Sequence, residues 1–476
     1  MADAATSTAQ DVAAAPRLKK ELGLGDLVLA QVLCVVGSAW VGVAAKLGKA
    51  HVAFWLGAML LYYVPLAVVV TWLNREMPLE GGLYQWAKLG FGQFLGFLTA
   101  WNLWAYAVVC VASVLFVVPT DLAYMIGPAA VWLPGSRLAT AAIIGFIVLA
   151  IAAVAVRGLA LGKWLHNIGA VGILLAYGIL LLLPLLFPSR HPATTYTPIP
   201  WQTPAVSWFS LAVFGQMTIG ALSGFEYLAI MAGECRNPAR SIGRSVSISA
   251  PVIAAMFILG TSSVLTFVGN QPINLIGPIP QTFRLAFGSS GASGRLASFA
   301  IVLLLMRAVA AASLLFTGLT RLPMAAGWDH LLPNWFTRLH GRWKTPVNSI
   351  AFVAAVILLL VVLSMLGVHE QEAMQLLQNA STAHYGIAYV ALFALPLWGV
   401  ARIRRRLPLW VKLASIAGFV SSSIAVLIAV YPIIDVSSSL SYALKISATV
   451  AFSNLLALWI YWRGAGNRRL SSPAAS

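Results

Sequence analysis

The sequence predicts an all-α integral membrane protein with about twelve transmembrane helices, and three observations predict it. Apolar residues fill 60% of the 476 positions and charged residues only 9%. A soluble domain covers its surface with roughly 25% charged residues, so lipid must be part of this chain's solvent. The apolar residues come in runs of about twenty, the length a helix needs to cross the hydrocarbon core. The Lys and Arg residues fall in short segments between those runs, with a strong excess on alternate sides. That asymmetry orients membrane helices.

Taken in order, residues 1–21 form an Ala-rich polar tail closing on Arg17, Lys19 and Lys20. It lacks the apolar stretch of a cleavable signal peptide. The first five spans are expected at 25–45, 52–73, 93–118, 138–157 and 164–187, the third as part of a longer element starting near Gly82. Five more follow at 208–232, 246–269, 297–320, 347–367 and 376–399. Two last spans, 410–432 and 440–462, precede a tail at 464–476. The division is a five-helix set over 22–205, a second over 206–400, and an extra pair within 401–463. An even number of crossings puts both termini on one side. The basic excess, including the run Arg402, Arg404, Arg405 and Arg406, makes that side the cytoplasm of a cell membrane.

A net charge of +17 would suggest nucleic acid in a soluble protein. Here the positive charge sits in loops that set topology, and no nucleic-acid partner is expected. The cysteines, Cys34, Cys110 and Cys235, show no disulfide framework or metal-ligand spacing. No cofactor, metal or obligate subunit is expected. The Gly-x-x-x-x-Gly-Lys-Ser/Thr phosphate loop is missing, which argues against direct drive by ATP. Asp329 and His330 adjoin a membrane connection without a nucleophile near them in sequence, so a membrane enzyme is a weak alternative. A channel or a sensor is a third class.

Small residues interrupt two spans at matched places. The first carries Val36-Gly37-Ser38-Ala39 and the sixth carries Gly220-Ala221-Leu222-Ser223-Gly224. Each opens one five-helix set. Inverted-repeat carriers unwind corresponding helices at mid-membrane. Unwinding frees backbone groups that lipid cannot satisfy but a polar solute can. Half-helix amides attract a carboxylate and freed carbonyls attract an ammonium group. The competing explanation is that Gly and Ser only let helices pack closely.

These residues resemble the amino acid-polyamine-organocation superfamily of permeases over about 22–460. Gly37-Ser38 is similar to the start of its Gly-Ser-Gly-Ile-Phe motif. Glu76-Met77-Pro78 with Gly81-Gly82-Leu83-Tyr84-Gln85-Trp86 resembles the segment before its third helix. Ser223-Gly224-Phe225-Glu226 and Gly233-Glu234-Cys235-Arg236-Asn237-Pro238 resemble its sixth helix and following loop. Thr320-Arg321-Leu322-Pro323 through Leu332-Pro333, with Thr345-Pro346, resembles its connection from helix 8 to helix 9. The resemblance implies a five-plus-five inverted-repeat core with two added helices. It implies that substrate binds between helices 1 and 6 and that access alternates by rocking. Gly37, Ser38 and Ala39 would offer amides to a substrate carboxylate. Ala221, Leu222 and Ser223 would offer carbonyls to its amino group, with Gly224 completing the break. Three departures stand out: Ala39 replaces a usual Gly, Leu222 a usual aromatic gate, and Ile173 a helix 5 lysine found in some members.

Ionisable groups inside a membrane are costly and rarely incidental. Glu226 and Arg307 are the two that fall deep within spans, and they are the candidates for coupling to protons, as a pair or separately. Asn102 and Tyr106 share a helix face by four-residue spacing. Asn379, Ser381, Thr382 and His384 cluster in the tenth span; such groups mostly tie helices together. The expected function is secondary transport of amino acids, coupled to protons or by exchange, with polyamines or other organic amines as the alternative substrate.

Overall fold

A computed structural model describes residues 23–77, 82–187, 196–224, 238–325, 334–343, 345–399 and 407–471. The described chain is helical, with connections that are turns and short caps. Among the described residues, ten helices are long and apolar enough to cross a membrane, and a bent pair at the N-terminal end makes eleven. The expected sixth span, 208–232, is described only to Gly224. Its apolar helix, Trp208–Ala221, is too short to cross alone.

The elements that position the site are these. Helix α1 (Leu24–Val35) and helix α2 (Ser38–Ala45) form the first span and meet at 47°. Helix α3 (Gly48–Glu76) is the second span. Helix α4 (Leu83–Phe91) precedes α5 (Gln93–Ile126). Then come α6 (Arg137–Arg157), α7 (Leu159–Leu186) and the short α8 (Trp208–Ala221). Helix α9 (Pro238–Val268) leads to α10 (Pro278–Phe287), which caps one end of the bundle. Helices α11 (Gly291–Ala325), α12 (Val347–Ser364), α13 (Glu370–Trp398), α14 (Leu409–Ile428) and α15 (Ser439–Ser471) complete the chain.

One expectation is corrected. The third span is not continuous with the segment beginning near Gly82. Gly92 adopts φ +90° and ends α4 before α5 begins. A left-handed residue stops a helix, and glycine adopts that conformation without steric penalty.

Burial follows the membrane. Leu138, Phe146, Leu427 and Phe452 project from the bundle and are more than two-thirds exposed. In water such a surface would aggregate, and in lipid it is the solvated face. The interior holds α5, α13, the inner face of α11 and the broken first span. Helices α7 and α11 pack along much of their length. A methyl built on Gly169 would lie 2.2 Å from the Ala310 Cβ and 3.5 Å from the Arg307 Cα. The bare glycine therefore lets α11 approach closely and brings Arg307 to the first span.

Candidate functional site

The first span breaks where its sequence turns small. Val36 is extended, φ −80° and ψ 105°, and Gly37 is extended, φ −111° and ψ 144°. Two extended residues in succession remove the i→i−4 hydrogen bonds that would bridge α1 and α2. Two carbonyls at the break take donors from neighbouring helices. The Tyr177 hydroxyl on α7 donates to the Gly37 carbonyl at 3.2 Å. The Arg307 Nη2 on α11 donates to the Leu33 carbonyl across a long 3.4 Å. Gly37 caps α2, so the Ser38 and Ala39 amides open a helix whose first turn has no carbonyl behind it.

Helix α8 fails at the same depth. Its last turn, Gln216–Ala221, is wound as a π-helix, and Leu222 leaves helical geometry. Gly224 follows with φ +127°. Wider i→i+5 turns gather at functional sites because they displace backbone groups from regular pairing. The Gly220 position is pressed against α2: a methyl there would lie 2.6 Å from the Trp40 ring. The two interrupted helices therefore touch through a glycine and an indole.

A cavity of about 60 Å³ lies at the break in the first span. At roughly 15 Å³ per water it holds a few waters or one small polar solute. Gly37, Ser38, Ala39 and Trp40 form its floor along the first span, and Gly220 is its contribution from α8. Tyr106, Cys110 and Ser113 reach it from α5, Arg307 from α11, and Gln378, Ser381, Thr382 and Tyr385 from α13. Tyr106 and Tyr385 stack on each other in its wall with ring centres 3.5 Å apart.

Several expected residues therefore converge. Gly37, Ser38, Ala39 and Arg307 line one cavity. Ala221, Leu222, Ser223 and Gly224 are buried at the end of α8 but contribute no wall to it. Ser223 and Gly224 face an aromatic cluster instead. The Ser223 hydroxyl lies 2.6 Å from the Tyr62 hydroxyl, and the Gly224 amide donates to the Tyr389 hydroxyl at 3.2 Å. Tyr62 packs edge-on against Tyr389 and Phe393. Glu226, and with it a Glu226–Arg307 pair, lies outside the described residues. Ile173 is fully buried in apolar packing, and Leu222 is fully buried as well.

The sequence reading missed Cys34, Trp40, Cys110, Ser113, Gln378 and Tyr385 as site residues. Spacing held a usable signal. Cys110 and Ser113 stand four and seven residues after Tyr106, on the face already noted. Tyr385 stands four residues after Ser381. Asn379 and His384, by contrast, turn away from the cavity. Asn379 accepts from Gln216 at 2.8 Å and donates to Tyr442 at 3.0 Å. The His384 Nδ1 sits 2.8 Å from the Ala380 carbonyl.

A second, larger hollow of about 770 Å³ opens at the end of the bundle marked by Lys46, Asn274, Glu370 and Asp435. A single layer of side chains separates it from the cavity. Phe116 and Ala373 face the hollow, while the next residues, Val117 and Met374, face the cavity. Asp121, fully buried on the same helix as Val117, has both carboxylate oxygens without a hydrogen-bond partner among the described residues. Arg284 on α10 braces this end. It donates to the Tyr124 and Met125 carbonyls at 2.6 and 2.7 Å and to the Ser298 hydroxyl at 2.8 Å. Burial pushes its guanidinium below the ordinary arginine value.

The family pattern described as amino acid permease matches residues 26–452. The chain belongs to the amino acid permease family. Its members sit within the amino acid-polyamine-organocation superfamily, and this permease is a secondary transporter of amino acids or amines rather than an enzyme. An uncharacterised transporter of Legionella pneumophila is 26% identical over 383 residues, covering 79% of this chain and 80% of that protein. The serine/threonine exchanger SteT of Bacillus subtilis is 24% identical over 363 residues, covering 73% of this chain and 77% of SteT. The crystal structure of MhsT in complex with L-phenylalanine superposes with a TM-score of 0.60 at 15% identity, covering 87% of this permease and 99% of MhsT. That likeness shows a shared fold, the LeuT-type architecture. Among the described residues, no group of three His, Cys, Asp or Glu could hold a metal ion.

Proposed function

We propose that this permease carries small zwitterionic amino acids by alternating access, with the substrate lodged at the break of the first span. The supporting observation is the cavity against Gly37, Ser38 and Ala39, where helix-opening amides face a space of about 60 Å³. The amides and the positive end of α2 would take the carboxylate. The carbonyls of Ala221, Leu222 and Ser223 would take the ammonium group once α8 shifts. The unit of motion would be the two inverted repeats, 22–205 and 206–400, with 401–463 as scaffold. Both termini would be cytoplasmic, placing the larger hollow outside. Transport would be driven by protons, with Glu226 and Arg307 as coupling groups, or by exchange of one amino acid for another.

A second reading, transport of an organic amine, draws on the carboxylates Glu370, Glu372 and Asp435 at the larger hollow. Against it stands the positive charge of Arg307 in the cavity itself.

The test is uptake into proteoliposomes containing the purified permease, preceded by a thermal-melt screen of amino acids and amines. A ligand that binds the folded state raises its melting temperature by mass action. Saturable uptake of an amino acid, accelerated by an inward proton gradient or by amino acid preloaded inside, is the expected outcome. Absence of any shift or uptake across amino acids and amines would overturn the reading.

A further inference from the structure

The cavity contains one charge among the described residues, and it is positive. Arg307 is 8% exposed, and its guanidinium forms part of the cavity wall. Its Nη2 makes the single long contact to Leu33, and its Nε has no hydrogen-bond partner. It makes no ion pair with a described carboxylate. Asp121, the buried carboxylate on α5, has no hydrogen-bond partner among the described residues and forms no salt bridge with it.

Arg284 shows what a structural arginine looks like in the same protein. All three of its nitrogens donate, to the carbonyls of Tyr124, Met125, Gly288 and Gly294 and to the Ser298 hydroxyl. A guanidinium has five donor hydrogens in a planar fork suited to a carboxylate. At Arg284 the fork is saturated by protein. At Arg307, more deeply buried, most of it is unspent. A buried charge that lacks a protein partner is costly, and a cavity beside it is where a partner would come from.

The second positive source is the opening turn of α2. A methyl built on Gly37 would sit 3.6 Å from the Arg307 Nη2, so the guanidinium and the helix start face the same space. Together these sources offer more donors than the lone pairs of one carboxylate accept, so a second carboxylate can be held as well.

We propose that Arg307 is a substrate-binding residue that selects an anionic amino acid, its fork taking a side-chain carboxylate while the Gly37–Ala39 amides take the α-carboxylate. This rests on the amino acid reading above and narrows it. The small cavity, about 60 Å³, favours a short dicarboxylic amino acid. Organic dications are excluded by like charge in a dry site.

The test uses purified full-length permease with L-aspartate, L-glutamate, L-serine and putrescine as probes. In the wild type an acidic amino acid should bind at least about tenfold more tightly than L-serine, the scale of one charge-assisted bond, and putrescine should not bind. Arg307→Met should abolish that preference while L-serine still binds, and Arg307→Lys should keep part of it. If wild-type permease binds serine as tightly as the acidic amino acids, Arg307 does not select and the inference fails while the permease reading stands. Preferred binding of putrescine also overturns it. Binding of none of the four overturns both. The wild-type panel decides the question even if Arg307→Met does not fold.

Discussion

The Tyr177 hydroxyl on α7 donates to the Gly37 carbonyl across 3.2 Å, and so ties α7 to the residue at which the first span breaks. Tyr177 is fully buried. Lipid offers no alternative donor at that depth. Tyr177→Phe keeps the ring and removes the donor. We expect a loss of about 1–3 kcal/mol, the cost of an unsatisfied buried acceptor, read as a lower melting temperature in detergent. The KM for uptake should rise with it, because the loosened break includes the amides proposed to bind the carboxylate. An unchanged melt and KM would mean that water or another group satisfies Gly37 equally well.

Close approach of α7 and α11 depends on Gly169. Gly169→Ala should destabilise the permease by about 1–3 kcal/mol through overpacking, since the new methyl meets the Ala310 Cβ at 2.2 Å. The double variant Gly169→Ala with Ala310→Gly should recover most of the loss, leaving the milder 3.3 Å approach to the Met306 carbonyl. Additive losses in the two single variants and the double would show that the two positions do not touch.

The amide network beside the cavity joins three helices. Gln216 on α8 donates to Asn379 and to Gln375 on α13, at 2.8 and 3.2 Å, and Asn379 donates to Tyr442 on α15. Asn379→Ala strands the Tyr442 oxygen and one arm of Gln216. A drop of about 1–3 kcal/mol in stability is expected. Asn379→Asp keeps the acceptor used by Gln216, loses the donor used by Tyr442 and buries an acidic group, so it should cost at least as much. Equal stability of Asn379→Ala and wild type would remove this network from the account.

Cys110 lines the cavity, so its alkylation reports on occupancy. In a chain carrying Cys34→Ala and Cys235→Ala, a small neutral maleimide should modify Cys110 and block uptake. Transported amino acid should slow the modification at least about tenfold at concentrations well above its Kd. Labelling at the same rate with and without substrate would place the substrate elsewhere.

Much of the fold is legible in the chain because a bilayer leaves so few choices. Backbone groups in hydrocarbon must pair locally, so every long apolar run becomes a helix. The spans expected at 138–157, 164–187 and 410–432 lie within a few residues of Arg137–Arg157, Trp164–Leu186 and Leu409–Ile428. Length told less at 93–118, where the helix runs on to Ile126, because the outer residues of α5 are shielded by neighbouring helices rather than by lipid. The stop at Gly92 went unread, since a single glycine in a helical pattern does not announce a positive φ.

By itself, then, the sequence determined that the chain lives in lipid and where its helices run, and it marked Gly37–Ala39 and Gly220–Gly224 as places where two of them can break. Those are local facts, set by side-chain size and hydropathy within a few turns. Tertiary structure decided which polar groups meet. It brought Tyr106, Cys110, Gln378 and Tyr385 to the break in the first span. It turned Ser223 and Gly224 toward Tyr62 and Tyr389 instead of into the cavity. It also left Arg307 short of acceptors where Arg284 has many. The physical reason is that a helix fixes the direction of its own side chains, whereas which wall they face depends on the packing of helices far apart in the chain.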